Sequence, residues 1–354
     1  MQKYFIILLG CILMQSCIKK EDVVPPAPDR SRSLAVTIQN NYTFSMFAAA
    51  LQRTGYDKLI AGDSLYTLLV PNDAAFAIAG VTPDSLQHMD ISLLRKIVSY
   101  HIFRGIVKSS DIPQTIDYPL KSLSGQDVFF SVPIPGPYQN QYPDEKHPYL
   151  HINGSTVIRP DIVASNGMIQ SIDRLLEYPA ANIKEYLETH SQYSLYTQGL
   201  RQFGLLDRLA QPGPFVVIAP TNDAFLMHGY DSVAIAAMDT SHYKKSAFGG
   251  EILRIGIFFH TDMNDGPMAP PYNQSNNPPV YVAQDFLVIL NYGSFGLSVF
   301  DFLHVINTYE PPYWNNPYQY GDQVSLDYPD HLTLNGVVHG TTGLMAIPDS
   351  LIIK

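Results

Sequence analysis

The sequence is poor in cysteine, in tryptophan and in charged residues. Its 354 residues include two cysteines, one tryptophan and 15% charged residues, with a formal net charge of −10. Two cysteines cannot form the disulfide framework that stabilises small secreted domains, so the chain needs an apolar core instead. With 46% apolar residues it has the material for one, which excludes global disorder. The acidic balance argues against a nucleic-acid partner, because that would require a basic face.

The sequence also lacks an apolar run long enough to cross a membrane as a helix. The N-terminal run at residues 4–14 follows Lys3 and is too short, because a spanning helix needs about 20 residues. Its proportions are typical of the apolar core of a signal peptide. Cys17 follows the small residue Ser16, an order that resembles the lipobox of bacterial lipoproteins, whose cysteine is lipidated. The alternative is an ordinary cleaved signal followed by an unrelated cysteine.

The residues after Cys17 favour the lipoprotein interpretation. Residues 18–33 are proline-rich, a composition typical of an extended tether. Residues 20–22, Lys-Glu-Asp, resemble the export signal of surface lipoproteins in the Bacteroidetes. We therefore expect a signal peptide and lipobox at residues 1–17, a tether at 18–33, and lipid anchoring in the outer membrane at the cell surface. Cys11 would leave with the signal, so the mature body would contain no cysteine nucleophile or ligand.

From residue 34 onward the chain repeats itself, which predicts two homologous domains at residues 34–178 and 183–354. The first matched pairs share an offset of 149 and are Ser45 and Ser194, Leu51 and Leu200, Gly55 and Gly204, Pro71 and Pro220, and Phe76 and Phe225. Farther along, His101 is matched with His260 at an offset of 159. The growing offset predicts insertions in the second copy.

The end of the repeat allows two alignments. In the first, Gly167 and Asp173 are matched with Gly343 and Asp349. In the second, Asn166-Gly167 is matched with Asn335-Gly336, which leaves Asp349 without a counterpart. We favour the first alignment for that reason.

Each copy is predicted to combine helices with short strands in an α+β fold. Apolar spacing predicts a helix over residues 43–53 that ends at Gly55. Residues 65–70 form a compact apolar run typical of a buried strand, and Asn72 then offers a cap to a new helix. An antiparallel sheet is expected to include short strands at residues 128–132, 150–152, 156–158 and 168–172.

These motifs resemble those of the fasciclin domain. A strand, a proline, a capping pair and Ala-Phe stand at residues 67–76 and again at residues 219–225. The family's Tyr-His motif is matched by Tyr100-His101, and the second copy has Phe259-His260. Its closing motif, Asn-Gly followed by Ile-Asp and Leu, is matched at residues 166–175. The resemblance covers most of the chain after the tether.

The resemblance implies a wedge-shaped β-sandwich with helices along one edge for each copy. It also implies a non-catalytic extracellular protein that serves adhesion by contacting a matrix protein or a polysaccharide. Within that reading, Tyr100 and His101 are candidates for partner contact. The alternative is a histidine satisfied inside the core, with its tyrosine packed nearby.

The second copy carries two proline- and tyrosine-rich insertions, at residues 265–280 and 309–328. The later insertion holds Tyr313, Trp314, Tyr318 and Tyr320. Aromatic rings on a proline-stiffened loop suit contact with sugars or proteins, because they present a large rigid area at low entropic cost. We expect these four residues to contact the extracellular ligand; the alternative is a lid folded back over its own domain.

The sequence offers no recognisable catalytic or metal-binding motif. It has neither the G-x-S-x-G elbow of hydrolases nor an H-E-x-x-H zinc motif nor a phosphate loop. Residues 262–266 differ from a calcium loop, because the glycine comes one position early and no acidic residue closes the site. We therefore predict no enzyme activity, no cofactor and no metal. The alternative function is glycan capture as an accessory lipoprotein of an outer-membrane nutrient importer, with a hydrolase as the third and weakest hypothesis.

Overall fold

The computed structural model describes residues 32–132, 150–249, 252–253, 256–263, 280–283, 286–293, 300–307, 326–344 and 347–353. The expected lipidation site Cys17 and the aromatic residues Tyr313, Trp314, Tyr318 and Tyr320 lie outside these residues. Among the residues described, no helix has both the length and the apolar character needed to cross a membrane. Below, the first half means residues 32–178 and the second half residues 183–353.

The first half is built from a sheet and a group of short helices. Its helices are α1 (Leu34–Gln39), α2 (Ser45–Thr54), α3 (Tyr56–Leu59), α4 (Asp73–Ile78), α5 (Pro83–His88) and α6 (Ile91–Tyr100). Its strands are β1 (Tyr66–Pro71), β2 (Ile102–Arg104), β3 (Tyr118–Lys121), β4 (Asp127–Ser131), β5 (His151–Ile152), β6 (Ser155–Ala164) and β7 (Gly167–Ile172). Within the described residues, their order across the sheet is β2-β1-β7-β6-β5-β4-β3.

This arrangement confirms the α+β class but not an antiparallel sheet. β1 runs parallel to β7, with Tyr66 opposite Gly167, whereas the other neighbouring strands in the sheet run antiparallel. The prediction of an antiparallel sheet was therefore wrong at its centre. The two central strands lie far apart in the sequence, and the long connection between them, which contains α4–α6 and β2–β6, permits a parallel pair.

The second half repeats the helices and the central strands. Its helices are α7 (Ile183–Thr189), α8 (Ser194–Gln202), α9 (Asn222–Met227), α10 (Ser232–Ala237) and α11 (Ser246–Gly249). Its strands are β8 (Phe215–Pro220), β9 (Ile252–Leu253), β10 (Val280–Ala283), β11 (Phe286–Gly293), β12 (Phe300–Asn307), β13 (Leu326–Thr333) and β14 (Gly336–Thr341). One sheet has the order β13-β14-β8-β9, and β10, β11 and β12 form a separate antiparallel sheet.

The strand register identifies the counterpart of each closing strand. β8 runs parallel to β14 with Phe215 opposite Gly336, just as β1 runs parallel to β7 with Tyr66 opposite Gly167. The counterpart of Gly167 is therefore Gly336 rather than Gly343, and the favoured alignment of the closing motif was wrong. The favoured alignment rested on the spacing from Gly167 to Asp173, which Gly343 and Asp349 share. The strand register instead follows from the backbone hydrogen bonds.

Two asparagines that precede these strands make the same contacts. The Asn166 side chain accepts from the Leu34 N–H at 2.8 Å, and the Asn335 side chain accepts from the Ile183 N–H at 2.9 Å. Each amide nitrogen also donates to two backbone carbonyls in the segment just before the first strand of its half. Each asparagine thus ties the first helix of its half to the centre of the sheet.

A second correction concerns the Tyr-His motif. Thr67 lies opposite Phe103 in the first half, and its counterpart Val216 lies opposite Leu253 in the second. The offset at this point is 150, so His260 is not the counterpart of His101. The match at an offset of 159 rested on similar residue types alone.

The helix boundaries follow the capping signals in the sequence. α2 ends at Gly55, which adopts a left-handed conformation (φ 80°) that favours glycine. α4 begins after Asn72, whose side chain accepts from the Ala75 N–H at 2.8 Å. α6 begins after Asp90, whose side chain accepts from two N–H groups of its first turn. The predictions at Gly55 and Asn72 are confirmed.

The residue after the first cap has a role that the sequence pattern did not reveal. Asp73 does not cap its own helix but accepts from the Met46 N–H (2.9 Å) and the Ser45 hydroxyl (2.6 Å) at the start of α2. Its counterpart Asn222 accepts from the Leu195 N–H at the start of α8 (3.0 Å). In both halves a side chain from the helix that follows the central strand therefore caps the long helix.

The two halves pack together through one apolar cluster. Phe259, Leu332 and Val337 of the second half join a buried cluster of the first half that includes Tyr100 and Phe130. The rings of Phe129 and Phe259 lie 6.2 Å apart between centroids. We call this contact, with the polar groups around it, the junction.

We expect Asp73→Ala to lower the free energy of unfolding by about 1 kcal/mol, because loss of a helix cap has that typical cost. Asp73→Asn should cost less, since Asn222 performs the same task in the second half. Urea unfolding followed by circular dichroism measures both. The exposed Asp63→Ala is the control, and equal effects of Asp63→Ala and Asp73→Ala would contradict the capping role.

Candidate functional site

The structure places both members of the predicted Tyr-His motif in the interior. Tyr100 and His101 each have 0% of their surface exposed. The Tyr100 hydroxyl donates to the Asp127 carbonyl and accepts from the Asn153 amide, both at 2.8 Å. Burial raises the pKa of Tyr100 well above its usual range, so the hydroxyl stays protonated.

His101 is held between a helix and the segment that leaves the sheet. Its Nδ1 bonds to the Ile97 carbonyl at 2.8 Å, and its Nε2 accepts from the Leu176 N–H at 3.1 Å. Burial lowers the pKa of His101 to about 4. The ring is thus neutral at physiological pH and satisfied by internal partners. This placement matches the alternative of a core histidine.

A pair of aspartates with equivalent positions emerges from the structure instead. Asp161 lies at an irregularity of β6 and has a positive φ of 55°. Its backbone N–H donates to Gln170 Oε1 at 2.9 Å, and its carboxylate accepts from the Ser109 N–H at 2.9 Å. The Gln170 amide also donates to the Val107 carbonyl at 3.0 Å. Asp161 and Gln170 together therefore clamp the loop at residues 105–109 against the sheet.

Asp330 forms the corresponding clamp in the second half. It lies at an irregularity of β13 with a φ of 72°. Its N–H donates to His339 Nδ1 at 3.1 Å, and its carboxylate accepts from the His260 N–H at 2.6 Å. His339 Nε2 bonds to the Phe258 carbonyl at 3.0 Å. His339 thus makes the two contacts that Gln170 makes, and His260 occupies the place of Ser109.

The clamp of the second half differs because the first half covers it. Arg174 Nη1 donates to Asp330 Oδ2 at 3.3 Å, and Arg174 Nη2 lies 3.4 Å from His260 Nε2. Gly154 packs so closely that a Cβ there would lie 2.3 Å from Asp330 Oδ2. Gly154 and Arg174 of the first half therefore both pack against the Asp330 carboxylate at the junction.

The hydrogen bonds around Asp330 favour its ionised form in spite of its burial. The Asp330 side chain is only 5% exposed, and burial alone would raise its pKa. Hydrogen bonds from the His260 side chain and backbone, with electrostatic contributions from His260 and His339, outweigh burial and lower that pKa. Because guanidinium only donates, His260 Nε2 accepts from Arg174 and its Nδ1 donates to Asp330.

Sequence reasoning missed these aspartates, although a signal was present. Pro160-Asp161 stands five residues before Asn166-Gly167, and Pro329-Asp330 stands at the same distance before Asn335-Gly336. The alternative alignment of the closing motif, with its constant offset of 169, would have paired them. It was set aside in favour of a match at Asp349.

Two clefts border the junction. One, of about 320 Å³, is lined by Gln126, Phe129 and Pro179 on one side and by Pro214 and Leu334 on the other. The other, of about 170 Å³, lies among α4, Arg174 and the irregular part of β13 at Asp330. Within the described residues no group of three or more histidine, cysteine or acidic side chains is arranged to hold a metal ion.

We expect His339→Gln to reduce the acid sensitivity of the fold. Burial lowers the pKa of His339 to about 4, so the folded protein resists a proton that the unfolded chain accepts below pH 6.5. Between pH 7 and pH 4 the wild type should lose about 3 kcal/mol more of its free energy of unfolding than the variant. Gln170 shows that glutamine fits this position in the first half.

Urea unfolding at a series of pH values measures this difference. The exposed His88→Gln is the matched control and should leave the pH profile of the wild type unchanged. Parallel acid profiles for the wild type and His339→Gln would contradict the assignment of His339 as a neutral buried ring.

Comparison with known proteins gives the fold a context. The family model "Fasciclin domain" matches residues 42–179. The chain is 29% identical to transforming growth factor-beta-induced protein ig-h3 of Sus scrofa over 186 residues, 52% of this chain and 25% of that protein. It is 26% identical to protein sll1483 of Synechocystis over 168 residues, 47% of this chain and 84% of that protein. Human periostin is 28% identical over 134 residues, 36% of this chain and 16% of periostin.

Among solved structures, a FAS1 domain pair from the insect cell adhesion molecule fasciclin I aligns with a TM-score of 0.38 and 15% identity. The alignment covers 87% of this chain and 98% of that one. This chain thus spans only a quarter of the length of ig-h3. The comparisons support a fasciclin domain at residues 42–179, in the first half of the chain.

Proposed function

We propose that this protein is a non-catalytic, lipid-anchored surface protein that binds an extracellular protein or polysaccharide through tandem fasciclin domains. The observation that carries the proposal is the fasciclin match over residues 42–179. The repeated strand order and the equivalent asparagines support a second domain of the same kind at residues 183–354. The proposed domain bounds are otherwise those of the sequence repeat.

The described part of the structure favours a scaffold that presents other segments to a ligand. Tyr100 and His101 form hydrogen bonds within the first half, and Asp161 and Asp330 each bind a loop of their own half. We therefore assign ligand contact to Tyr313, Trp314, Tyr318 and Tyr320 of the insertion rather than to the Tyr-His motif. That insertion joins β12 to β13, the strand that carries Asp330, so it starts and ends on the second half.

We expect the double variant Tyr313→Ala with Trp314→Ala to lower binding at least tenfold, because aromatic residues commonly supply most of an interface's binding energy. The probes are matrix proteins and purified polysaccharides immobilised on a biosensor. Tyr42→Ala is the matched control, since Tyr42 is an aromatic residue that is 88% exposed and lies outside the insertion.

The outcomes separate the two candidate functions. Binding to proteins that depends on the insertion supports adhesion, and binding restricted to one class of sugar supports glycan capture for nutrient uptake. Unchanged binding in the double variant would overturn the role of the insertion.

We expect Cys17→Ser to abolish incorporation of an alkyne-labelled fatty acid and to move the protein out of the membrane fraction, because stable anchoring needs acyl chains on that residue. Cys11→Ser is the control and should keep both label and membrane association, since residue 11 belongs to the expected signal peptide. Lipid label that persists in Cys17→Ser would contradict the lipobox.

A further inference from the structure

Tyr100 contacts three separate parts of the first half. Its hydroxyl donates to the Asp127 carbonyl at the start of β4 and accepts from the Asn153 amide in the turn between β5 and β6, both at 2.8 Å. Its ring packs edge-on against Tyr178, with 5.8 Å between the ring centroids. This tyrosine therefore links a strand, a turn and the segment that leads to the second half.

The strand and the turn both contact the second half directly. Phe129, in the middle of β4, places its ring 6.2 Å from that of Phe259. Gly154, the second residue of the turn, lies so close to Asp330 that a Cβ would be 2.3 Å from its Oδ2. The Tyr100 hydroxyl thus bonds to two elements by which the first half contacts the second.

Asn153 ties the turn to β4 as well as to the hydroxyl. Its side-chain oxygen accepts from the Phe129 N–H at 2.8 Å, and its own N–H donates to the Phe129 carbonyl at 2.9 Å. Asn153 (φ 46°) and Gly154 (φ 77°) both have left-handed backbone conformations, which asparagine and glycine adopt readily in two-residue hairpin turns. The hydroxyl therefore holds the turn through a side chain that the turn geometry itself favours.

The second half keeps neither member of this pair, although it repeats the central strands. The strand register matches Tyr100 with residue 250, which is a glycine. The offset of 169 found for the clamps places Asp322-Gln323 where the first half has Asn153-Gly154. A hydroxyl needed by the fold itself would be expected in both halves. Its restriction to the half that docks onto a following half indicates a role in docking.

We propose that Tyr100 is a positioning residue of the junction, whose hydroxyl holds the Asn153-Gly154 turn and β4 together so that both contacts with the second half form at once. Without the hydroxyl, the turn and the strand lose their fixed spacing. The halves then meet through one contact at a time, and the junction opens more often. This role concerns the arrangement of the two halves, so it goes beyond ligand binding and holds whichever ligand the protein binds.

The test compares Tyr100→Phe with the wild type in the full-length protein. Phenylalanine keeps the ring and removes only the hydroxyl. Hydrogen exchange measured by mass spectrometry should become about fivefold faster in peptides from residues 256–263, the factor that loss of one typical hydrogen bond gives. These peptides report the junction from the side of the second half, because Phe259 and the His260 N–H lie there. Exchange in β8, in the core of the second half, should not change.

Tyr230→Phe is the matched control. The Tyr230 hydroxyl also makes an internal hydrogen bond, accepting from the Asp349 N–H at 3.1 Å, and its ring belongs to the core cluster of the second half. Loss of this hydroxyl should change exchange at residues 256–263 no more than it changes exchange in β8.

Asn153→Gly gives a second test that does not depend on the folding of Tyr100→Phe. Glycine tolerates the positive φ and removes the side chain that joins the turn to the hydroxyl. It should accelerate exchange at residues 256–263 as Tyr100→Phe does. The proposal fails if faster exchange in these variants stays within residues 32–178, if no segment responds, or if Tyr230→Phe accelerates residues 256–263 over β8 as strongly.

Discussion

The structure of each half depends on one aspartate carboxylate, placed where the pairing of a strand is irregular. Asp161 and Asp330 sit at positive φ in the strand before the central parallel pair, a conformation that aspartate tolerates better than most residues. At that point the strand's regular pairing is interrupted, and the carboxylate is free to accept hydrogen bonds from a loop on the far side of β1 or β8. The clamp thereby fixes the loops that follow β2 and β9, and the junction is built on the second of these loops.

The same clamp serves two purposes in the two halves. In the first half its partners are Ser109 and Gln170, which are neutral and belong to the same domain. In the second half His260 and His339 take those places, and Arg174 approaches from the first half. With His260 and His339 in these places, the Asp330 carboxylate also accepts a hydrogen bond from the Arg174 guanidinium. The clamp that lies within one half at Asp161 is thus also a contact between the two halves at Asp330.

Much of the fold could be predicted from the sequence, because local signals decide local structure. Gly55, Asn72 and Asp90 mark helix ends whose conformation or hydrogen bonding depends on the side chain itself. The parallel pairing of β1 with β7 could not be predicted in this way, since it depends on contacts between residues far apart in sequence. The predicted offset of 159 was wrong for a related reason. It rested on the two histidines His101 and His260, whereas the true offset follows from strand pairing, which only the structure shows. Asp161 and Asp330 could have been found from the sequence, because Pro-Asp stands at the same distance before Asn-Gly in both halves.

The junction combines an apolar contact with polar groups, and the two contribute differently. The cluster around Phe259 supplies burial, which is favourable but non-directional. Polar groups add direction, because a buried carboxylate is tolerated only where its partners lie in fixed positions. Asp330 meets this requirement with Arg174 across the junction. This directional contact resists rotation between the halves in a way that the apolar cluster alone cannot.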